Sequence, residues 1–351
     1  MSTYRVELWN GEDRAAWDEY VHGHRQGRFF HLAGWETVVK EAYGQPTVFW
    51  VCRQGERIVG VLPMVHLQHF LLGNSLVSMP YLDGGGILAD NEQVWGQLLT
   101  AAAEFARSRQ IPQVELRNFH PEPWEDQELL APLAPDKVQM LIPLPASADA
   151  LFKSFSNKNK VRTVVRKAEK SGLSFVWGGP EKLPDFYGVF AANMRDLGSP
   201  AHSQAFFHWI FRVFSDYLRL GIVSSGGQAI AAGIVVGCKD TLSFPWGGSL
   251  RTHHHLNPFP LLVWELLREA CRQGYRFFDF GRSSRDSGPY QFKARWGAQP
   301  HPLHWRSLRR GAASTIWESR RKFDLVSKIW RRLPLALTNL VGPRLRKHIS
   351  L

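Results

Sequence analysis

The amino-acid sequence predicts an α/β protein made of two tandem copies of one folding unit, followed by a basic helical tail. Three observations support this prediction. The chain has 351 residues, too many for one ordinary domain and enough for two that each bury a core. The same succession of hairpin, helix and buried strand occurs twice along it. Lys and Arg residues then dominate the last part, residues 306–351.

Aligning the two halves shows the internal repeat. Residues 56–65 match 227–237 as the second arm of a hairpin with a glycine in mid-strand, 98–117 match 261–281 as a helix, a turn and a strand with a polar end, and Gly84–Gly86 would correspond to Gly247 and Gly248. Residue identity is low, but the order, type and approximate spacing of the elements agree. The predicted domains are 1–135 and 136–305, and residues 306–351 form the tail.

Hydrophobic periodicity and turn residues predict the elements of the first half. They are a strand at 4–9, a helix around Trp17, Tyr20 and Val21, a helix at 32–43, a hairpin of 47–53 and 57–64, strand-like sequence at 65–79 with a turn at Gly73 and Asn74, a helix at 94–109 and a strand at 113–117. Residues 121–145, rich in Pro and acidic residues, are predicted to connect the halves.

The second half is predicted in the same way. Helices are expected at 149–155, 158–171, 185–194, 205–214, 261–273 and 290–296, and strands at 218–224, 229–238, 241–245, 277–280 and 301–305. Residues 138–144 lead into this half, and residues 173–177 follow the cationic helix. Trp246, Gly247 and Gly248 are expected to interrupt the chain after the strand at 241–245.

Composition excludes several classes of protein. The content of 44% hydrophobic and 21% charged residues is typical of soluble globular proteins. The first residues do not resemble a signal peptide, and no apolar run reaches the length of a membrane span, so we expect a cytoplasmic location. Three widely separated Cys residues indicate free thiols in a reducing compartment. Three consecutive histidines, at 253–255, cannot all point to one metal ion, and we expect no metal site.

The net charge of +12 is unevenly distributed. Residues 306–351 contain twelve Lys or Arg residues against Glu318 and Asp324, so ten of the twelve net charges lie in the tail. The rest of the chain is close to neutral, which argues against a nucleic-acid reader that uses its main surface. Phe323, Val326, Ile329, Trp330 and Leu333 recur at helical spacing among the tail cations. This pattern predicts peripheral contact with an anionic membrane at the inner face, with packing on the body as the alternative.

The segment 277–305 is the main candidate site. An alternating apolar run ending at Gly281 predicts a buried strand, and Arg282–Ser287 supplies a dense set of polar side chains after it. A turn, a short helix carrying Lys293 and Arg295, and a last strand follow. Polar residues where a strand of an α/β sheet ends are typical of a ligand site. A charged surface connection between two core strands is the alternative.

A second candidate is the cationic helix predicted at 158–171. It carries Lys158, Lys160, Arg162, Arg166, Lys167 and Lys170 against a single acidic residue. Most such runs are solvated helix faces. So many positive charges could also bind a phosphorylated substrate or an RNA backbone.

Five motifs in order make the chain resemble one family. They are MPYLDGGG (79–86), SNKNKVRTVVRKAEKSG (156–172), NMRDLGSP (193–200), PWGGSLR (245–251) and FDFGRSSRDSGPYQFKARWG (278–297). The chain is similar to the FemAB family of bacterial aminoacyl and acyl transferases, and most similar to its branch associated with PEP-CTERM, exosortase and exopolysaccharide systems. The resemblance implies two tandem GNAT (acyl-CoA N-acyltransferase-like) domains with mixed central sheets flanked by helices. It also implies metal-free transfer of an activated acyl group to an amine.

The resemblance implies roles for individual residues. In family members that build peptidoglycan cross-bridges, a lysine following an aromatic residue lies at the donor end of the site, and Phe292 and Lys293 match that pair. Lys293 could neutralise an oxyanion or bind a carboxylate, and Asp279 could be a base or only a polar strand-edge residue. The remaining substrate-binding candidates in the motifs are Tyr81, Asp83, Lys158, Arg162, Arg166, Asn193, Trp246, Arg282, Ser283 and Tyr290.

One departure concerns the donor. Coenzyme-A-dependent GNAT enzymes carry an Arg/Gln-x-x-Gly-x-Gly/Ala pattern, and the nearest match here puts Tyr290 after Arg285 and Gly288, where a small residue belongs. Acyl-CoA, an acyl carrier protein and aminoacyl-tRNA therefore all stay open as donor substrates, with no tightly bound cofactor expected. The expected acceptor is an envelope saccharide or its nucleotide- or lipid-linked precursor. The alternative functions are a non-catalytic binding component of the same system and an RNA-binding module.

Overall fold

A computed structural model describes residues 3–69, 73–121, 130–309 and 326–350 of the chain. They belong to two compact units. The first comprises residues 1–136, 302–323 and 347–351, and the second comprises residues 137–301 and 324–346. Of the described tail residues, 306–309 and 347–350 therefore belong to the first unit and 326–346 to the second.

The first unit contains an eight-stranded sheet in the order β1-β2-β3-β4-β6-β15-β7, with β5 paired to β3. Its strands are β1 (Tyr4–Leu8), β2 (Thr47–Gln54), β3 (Arg57–His69), β4 (Gly73–Val77), β5 (Leu88–Ala89), β6 (Gln113–Asn118), β7 (Ala131–Pro132) and β15 (His304–Arg309). Its helices are α1 (Arg14–Gly23), α2 (Trp35–Tyr43) and α3 (Glu92–Ser108).

The second unit contains a seven-stranded sheet in the order β14-β8-β13-β12-β11-β10-β9. Its strands are β8 (Lys137–Pro143), β9 (Ser174–Gly178), β10 (Leu218–Ser225), β11 (Gln228–Cys238), β12 (Thr241–Ser249), β13 (Phe277–Ser284) and β14 (Gln299–Pro302). Its helices are α4 (Ala148–Ser154), α5 (Val161–Glu169), α6 (Leu183–Leu197), α7 (Gln204–Phe214), α8 (Pro258–Arg272), α9 (Gly288–Arg295) and α10 (Leu335–Arg346).

The two sheets have the same strand order. In each, four antiparallel neighbours (β1 to β4, or β9 to β12) precede one parallel pair, β4 with β6 or β12 with β13. An antiparallel strand follows, β15 beside β6 in the first sheet and β8 beside β13 in the second. The predicted duplication and the α/β class are confirmed, and both sheets are mixed.

The next-to-last strand of the first sheet comes from an unexpected part of the chain. The strand predicted at 301–305 was assigned to the second half, but β15 pairs with β6 from Trp305↔Arg117 onward and completes the first sheet. The strand β8, which follows β7 in sequence, completes the second sheet. Strand pairing of this kind depends on long-range hydrogen bonds, which leave no trace in local periodicity.

The glycine correspondence is also wrong. Gly247 and Gly248 lie inside β12, whose counterpart in the first unit is β4, whereas Gly84–Gly86 lie in the connection after β4. The strand predicted at 241–245 therefore continues to Ser249. Gly73 and Asn74, where a turn was predicted, instead belong to β4 and pair with His69 and Gln68 of β3.

Local signals place most other elements correctly. Gly55, with φ +63°, makes the turn of the β2–β3 hairpin, and Asn91 caps α3 by accepting a hydrogen bond from the Val94 amide. The buried face of α8, including Leu262 and Leu266, packs on the second sheet. The cationic helix begins later than predicted, at Val161, because Lys160 adopts a left-handed conformation with φ +56°.

Residues 326–346 of the tail pack within the second unit. Ser327 donates a hydrogen bond to the carbonyl of Gly198 at 2.8 Å, and Trp330 is buried beside Gly342. Val326 and Ile329 are exposed, while Phe323 lies outside the described residues. Packing on the body, the alternative for the tail pattern, is observed for Trp330. Among the described residues, no helix is long and apolar enough to cross a membrane.

The three cysteines are free, with Cys52 and Cys271 buried and Cys238 half-buried. Within the described ranges no group of three His, Cys, Asp or Glu side chains could hold a metal ion.

The assignment of β15 to the first unit predicts where a core substitution acts. Trp305 is 2% exposed and donates an indole hydrogen bond to the Asp83 carbonyl at 3.1 Å. We expect Trp305→Ala to lower stability by about 3–5 kcal/mol, because it leaves a large cavity. In hydrogen exchange, β4 and β6 should lose protection while β11 and β12 keep theirs. Loss of protection confined to the second unit would contradict the pairing, and the half-buried Trp209→Ala serves as the control.

Candidate active site

The central parallel strands of the second unit part after a short paired stretch. β12 and β13 pair at Thr241↔Phe277, Leu242↔Phe278 and Ser243↔Asp279. Beyond these positions β12 continues beside β11 to Ser249, and β13 continues beside β8 to Ser284. Their facing backbone edges are then available to an extended ligand, which can add hydrogen bonds as a strand does.

In the first unit, hydrogen bonds bridge β4 and β6 beyond their paired residues. The amide of Ser78 donates to the Glu115 carbonyl at 2.9 Å, and the amide of Arg117 donates to the Ser78 hydroxyl at 2.7 Å. The Gly86 amide donates to the Arg117 carbonyl at 3.1 Å. The chain between β4 and β5 therefore uses the backbone groups that remain open in the second unit.

Lys293 is held at the end of β13. Its helix, α9, is capped at the amino end by the Ser287 hydroxyl, which accepts from the Tyr290 amide at 3.3 Å. The Lys293 Nζ donates to the carbonyls of Gly281 at 3.1 Å and Arg282 at 2.8 Å. Gly281 has φ +70°, which favours glycine, and lies where the register of β13 against β8 shifts. The lysine charge is thus fixed at this bulge.

Asp279 holds the same bulge from inside the sheet. The side chain is 3% exposed; its Oδ2 accepts from Gln139 Nε2 at 2.7 Å, and its Oδ1 accepts from the Gly281 amide at 2.8 Å. A carboxylate with both oxygens engaged is suited to fixing backbone geometry. These contacts favour the polar strand-edge role of Asp279 over the role of a base. The partner Gln139 was not singled out in the sequence, because nothing local marks β8 as the neighbour of β13.

Two polar side chains follow the bulge. Ser283 is 6% exposed, and its hydroxyl has no hydrogen-bond partner in the structure, which is unusual for a buried polar group. Arg282 is half-buried beside it in sequence. Lys137 of β8 donates to the Ser284 hydroxyl and adds a further positive charge at this end of β13. The end of β13 therefore combines cations with an unused hydroxyl donor.

The aromatic candidates pack α9 against the core. The Phe292 ring lies 5.4 Å from that of Phe259 and 6.1 Å from that of Trp296, and Tyr290 packs half-buried on the same cluster. Their contacts set the position of Lys293. Trp246 is 5% exposed, with its ring 5.7 Å from Phe207, so the expected substrate contact of Trp246 is replaced by a core contact with α7.

Asn193 lies beside the open part of β12. It belongs to α6, which packs on β11 and β12. A Cβ added to Gly248 would lie 2.5 Å from Asn193 Cγ, so only glycine lets the strand approach the asparagine this closely. Asn193 and Gly248 are thus in close contact.

The cationic residues lie on α5 and the turn before it. Lys158 and Lys160 precede the helix, while Arg162 donates to the Asn157 side chain and the guanidinium of Arg166 lies 5.7 Å from the Phe152 ring centroid. Val161, Val165 and Ala168 form the buried face. Lys158, Lys160 and Arg166 are exposed. This exposure is compatible both with a solvated helix face and with a surface that binds phosphate groups.

Tyr81 and Asp83 belong to the first unit and form a separate group. The Tyr81 hydroxyl donates to the Lys347 carbonyl at 2.7 Å, and the Asp83 carbonyl accepts from Trp305. Their connection, residues 79–86, is held by Arg117, which is fully buried and donates to the carbonyls of Pro80 at 2.8 Å and Leu82 at 2.9 Å. Sequence reasoning placed Arg117 only at a strand end and missed this role. Its signal in the sequence was weak, because its strand, Gln113–Asn118, alternates polar and apolar residues.

No coenzyme A pattern is found at the helix that follows β12. The residues leading into α8, 250–257, contain no glycine and include a short helical turn, Arg251–Leu256. Arg285 is exposed and precedes α9 rather than α8. The segment that joins β12 to α8 therefore also departs from the glycine-containing coenzyme A pattern, as residues 285–290 do.

Substitution of Arg117 tests whether this residue anchors the connection at 79–86. Arg117→Met removes the donor for the Pro80 and Leu82 carbonyls and leaves the neighbouring Glu115 carboxylate without its cation. We expect a loss of about 3–5 kcal/mol in stability, since breaking a buried ion pair leaves an uncompensated charge. Urea unfolding measures the loss, and hydrogen exchange at 79–86 locates it.

The control is Arg107→Met on α3, where the side chain is largely exposed beside Glu104. It should change stability by no more than about 0.5 kcal/mol. Equal effects of the two substitutions, or unchanged exchange at residues 79–86, would contradict the anchoring role of Arg117.

Comparison with known proteins supports the architecture. Residues 156–294 match the family model described as an acetyltransferase (GNAT) domain. No curated protein matches the chain significantly. Among solved structures, FemX is similar with a TM-score of 0.68 at 13% identity, over 92% of this chain and 100% of that one.

Two further structures are similar. A tandem GNAT protein from the clavulanic acid biosynthesis pathway has a TM-score of 0.55 at 13% identity, over 89% of this chain and 100% of that one. The C-terminal domain of a putative lysylphosphatidylglycerol synthetase from Agrobacterium fabrum has a TM-score of 0.56 at 11% identity, over 86% and 93%. The fold of this chain is therefore the tandem GNAT fold, α/β with two mixed sheets, and its second unit contains the stretch that matches a GNAT domain model.

Proposed function

We propose that this protein is an acyltransferase that moves an activated acyl or aminoacyl group to an amine, with its active site in the second unit. The observation that carries the proposal is the parting of β12 and β13 beside the charge of Lys293. The equivalent strands of the first unit are joined through Ser78 and Gly86. One of two units with the same fold thus keeps open backbone edges, a cation and an unused hydroxyl together.

The chemistry needs few protein groups. A neutral amine attacks the donor carbonyl, a C–N bond forms, and the C–O or C–S bond to the donor breaks; the proton lost by the amine leaves with the donor's oxygen or sulfur. The barrier lies at the negatively charged oxygen of the tetrahedral intermediate. Lys293, fixed at the bulge, supplies positive charge there, while Asp279 keeps the bulge in place.

The donor proposed first is a polyanionic carrier, aminoacyl-tRNA or an acyl carrier protein, with acyl-CoA as the alternative. The exposed cations at Lys158, Lys160 and Arg166 support binding of a phosphate-rich or acidic macromolecule. The absence of glycine from residues 250–257 supports the lower rank of coenzyme A.

The acceptor we propose is an amine of a cell-envelope saccharide, or of its nucleotide- or lipid-linked or peptidoglycan-type precursor. The protein would act in bacterial envelope or exopolysaccharide biogenesis, in the cytoplasm or at the inner face of the membrane. The similarity to FemX at the level of fold and the order of the five sequence motifs support this acceptor class. Mass spectrometry of surface polysaccharide with and without the protein tests it. An unchanged acylation pattern in the two samples would contradict it.

Lys293 is the residue whose substitution tests catalysis. Lys293→Met keeps most of the apolar stem and removes the charge, so turnover should fall by about a hundredfold or more while donor binding persists. The carbonyls of Gly281 and Arg282 lose a donor, which lowers stability by about 1–3 kcal/mol. Melting temperature and single-turnover rate, measured on the same samples, separate the two effects.

Two further variants sharpen this test. Lys293→Arg keeps donors for the carbonyls but cannot place a compact charge at the same point, so stability should recover and turnover should not. Lys239→Met, at an exposed position between β11 and β12, is the control. If only the Michaelis constant rises in Lys293→Met, the lysine binds a substrate carboxylate. If neither constant changes, the active site is not at the end of β13.

The cationic helix gives a separate prediction. Arg162→Glu with Arg166→Glu should weaken donor binding by about tenfold or more and reduce its salt dependence, since each removes a phosphate contact and adds repulsion. The melting temperature should change little, because exposed charges contribute little to stability. The control is Arg212→Glu with Lys239→Glu, at exposed positions on other elements of the same unit.

Binding measured against salt concentration, with deacylated tRNA and with an acyl carrier protein, checks this prediction. Unaltered affinity for both would show that the helix face is only solvated. Tight tRNA binding by the unaltered protein, with no transfer from any activated donor, would favour an RNA-binding module instead.

A further inference from the structure

The second unit carries exposed apolar side chains that the proposed reaction does not use. Seven large apolar side chains are exposed among the described residues, and four of them lie on one stretch of the tail, between 42% and 59% exposed: Val326, Ile329, Leu337 and Leu340. A fifth, Leu197, lies beside this stretch, because Arg331 donates to its carbonyl at 3.2 Å. Single exposed apolar residues are common on protein surfaces, but a concentration of them marks an interaction surface.

Helix α10 buries polar and small residues and exposes leucines. Its buried residues are spaced four apart and lie on one face: Thr338, Gly342 and Arg346. Its opposite face is exposed and consists of Leu337, Leu340 and Arg344. A helix on the surface of a soluble protein normally has the reverse arrangement, with apolar residues against the core and polar residues in water. The exposed face of α10 is therefore suited to a partner that is less polar than water.

The helical residues 326–330, which precede α10, are anchored by two side chains and expose two others. The Trp330 ring is buried beside Gly342, and the Ser327 hydroxyl donates to the Gly198 carbonyl at 2.8 Å. Val326 and Ile329, three positions apart, share another side of the helix and are exposed. The anchors hold these residues on the second unit, so the exposed apolar side chains are presented from a fixed backbone.

Positive charge accompanies these apolar side chains. Residues 326–350 contain six Lys or Arg residues and no Asp or Glu. Four of the six are exposed, namely Lys328, Arg331, Arg332 and Arg344. Asp196, the neighbour of Leu197 in sequence, forms an ion pair with Arg195 at 2.7 Å and so adds no net negative charge. The stretch therefore combines exposed apolar side chains with a net positive charge.

This combination discriminates between possible partners. A nucleic-acid backbone would contact the cations and leave the apolar side chains in water. A second copy of the same surface would bring like charges together, which disfavours self-association through it. A membrane with anionic lipids offers phosphate groups to the cations and an apolar layer directly beneath them. Only the membrane satisfies both features of the surface.

We propose that this surface docks the protein peripherally on a membrane that contains anionic lipids. The docking surface consists of five apolar residues and four cations: Leu197, Val326, Ile329, Leu337, Leu340, Lys328, Arg331, Arg332 and Arg344. The apolar side chains enter the boundary between head groups and acyl chains, and the cations contact lipid phosphates. It differs from the pattern predicted from the sequence, because Trp330 is an anchor within the protein and α10 supplies two leucines. The docking does not depend on acyl transfer.

The test is co-sedimentation of the full chain with vesicles, without acyl donor or acceptor. Vesicles of phosphatidylcholine and phosphatidylglycerol in equal amounts should bind the protein about tenfold or more tightly than phosphatidylcholine alone, and added salt should weaken this binding. Ile329→Asn with Leu340→Asn keeps the charge and removes apolar insertion, so binding should fall by about tenfold. Lys328→Glu with Arg344→Glu should weaken binding to a similar extent and remove most of its salt dependence.

Each double variant has a matched control. Leu8→Asn with Val176→Asn removes two apolar side chains that are exposed elsewhere, and Arg212→Glu with Lys239→Glu makes the same change of charge on other elements. Both controls should bind vesicles like the unaltered protein. All eight positions are exposed, so the melting temperature should change little in any variant.

Absence of binding to the anionic vesicles at low salt, or equal losses in the tail variants and their controls, would overturn the docking surface. A dimer in sedimentation velocity that Ile329→Asn with Leu340→Asn abolishes, without vesicle binding by the unaltered protein, would assign the surface to a second copy instead. These outcomes are separate from catalysis. Vesicle binding with a complete lack of acyl transfer would contradict the proposed function alone.

Discussion

The pairing of two central parallel strands over only three residues is the constraint on which the candidate site depends. A parallel pair in a continuous sheet satisfies its backbone groups along its whole length. Here β12 and β13 are joined at Thr241, Leu242 and Ser243 and then follow different neighbours. Their separation needs support from outside the pair. Asp279 and Lys293 provide it at the bulge, by bonding the backbone of Gly281 and Arg282 in place of a strand, and Gln139 holds the Asp279 carboxylate.

The two units show two outcomes of the same topology. In the first unit, residues 78–86 return across the end of β6, and Arg117 fixes them by donating to the Pro80 and Leu82 carbonyls. A buried guanidinium needs acceptors for its N–H groups, and the Pro80 and Leu82 carbonyls supply two for Arg117. In the second unit, the Ser283 hydroxyl takes part in no hydrogen bond, and Lys293 comes from a short helix rather than from the sheet. One unit uses polar groups to close its central strands, and the other holds them open.

The sequence predicted whatever is encoded locally. The hairpin of β2 and β3, the amphipathic helices α3 and α8, and the strand and short helix around Lys293 follow from periodicity, capping and turn residues. Duplication of these signals was enough to predict two α/β units. The strands that β15 and β8 add to the sheets could not be assigned, because partner choice depends on hydrogen bonds between segments far apart in sequence. The same limit hid Gln139 and Arg117, whose roles exist only once distant strands meet.

Side-chain roles were harder to predict than elements, for a physical reason that Trp246 and Phe292 share. Both lie in motifs beside the candidate site, but an aromatic ring gains more by burial than by facing a polar cleft, and each packs on core rings, Phe207 and Phe259. Such residues act on a site by fixing the backbone that carries its polar groups. Gly248 acts in a similar way, because its lack of a Cβ lets β12 lie directly against Asn193. The polar groups left at the end of β13 are thus few, and their positions are set almost entirely by neighbours that need not touch a substrate.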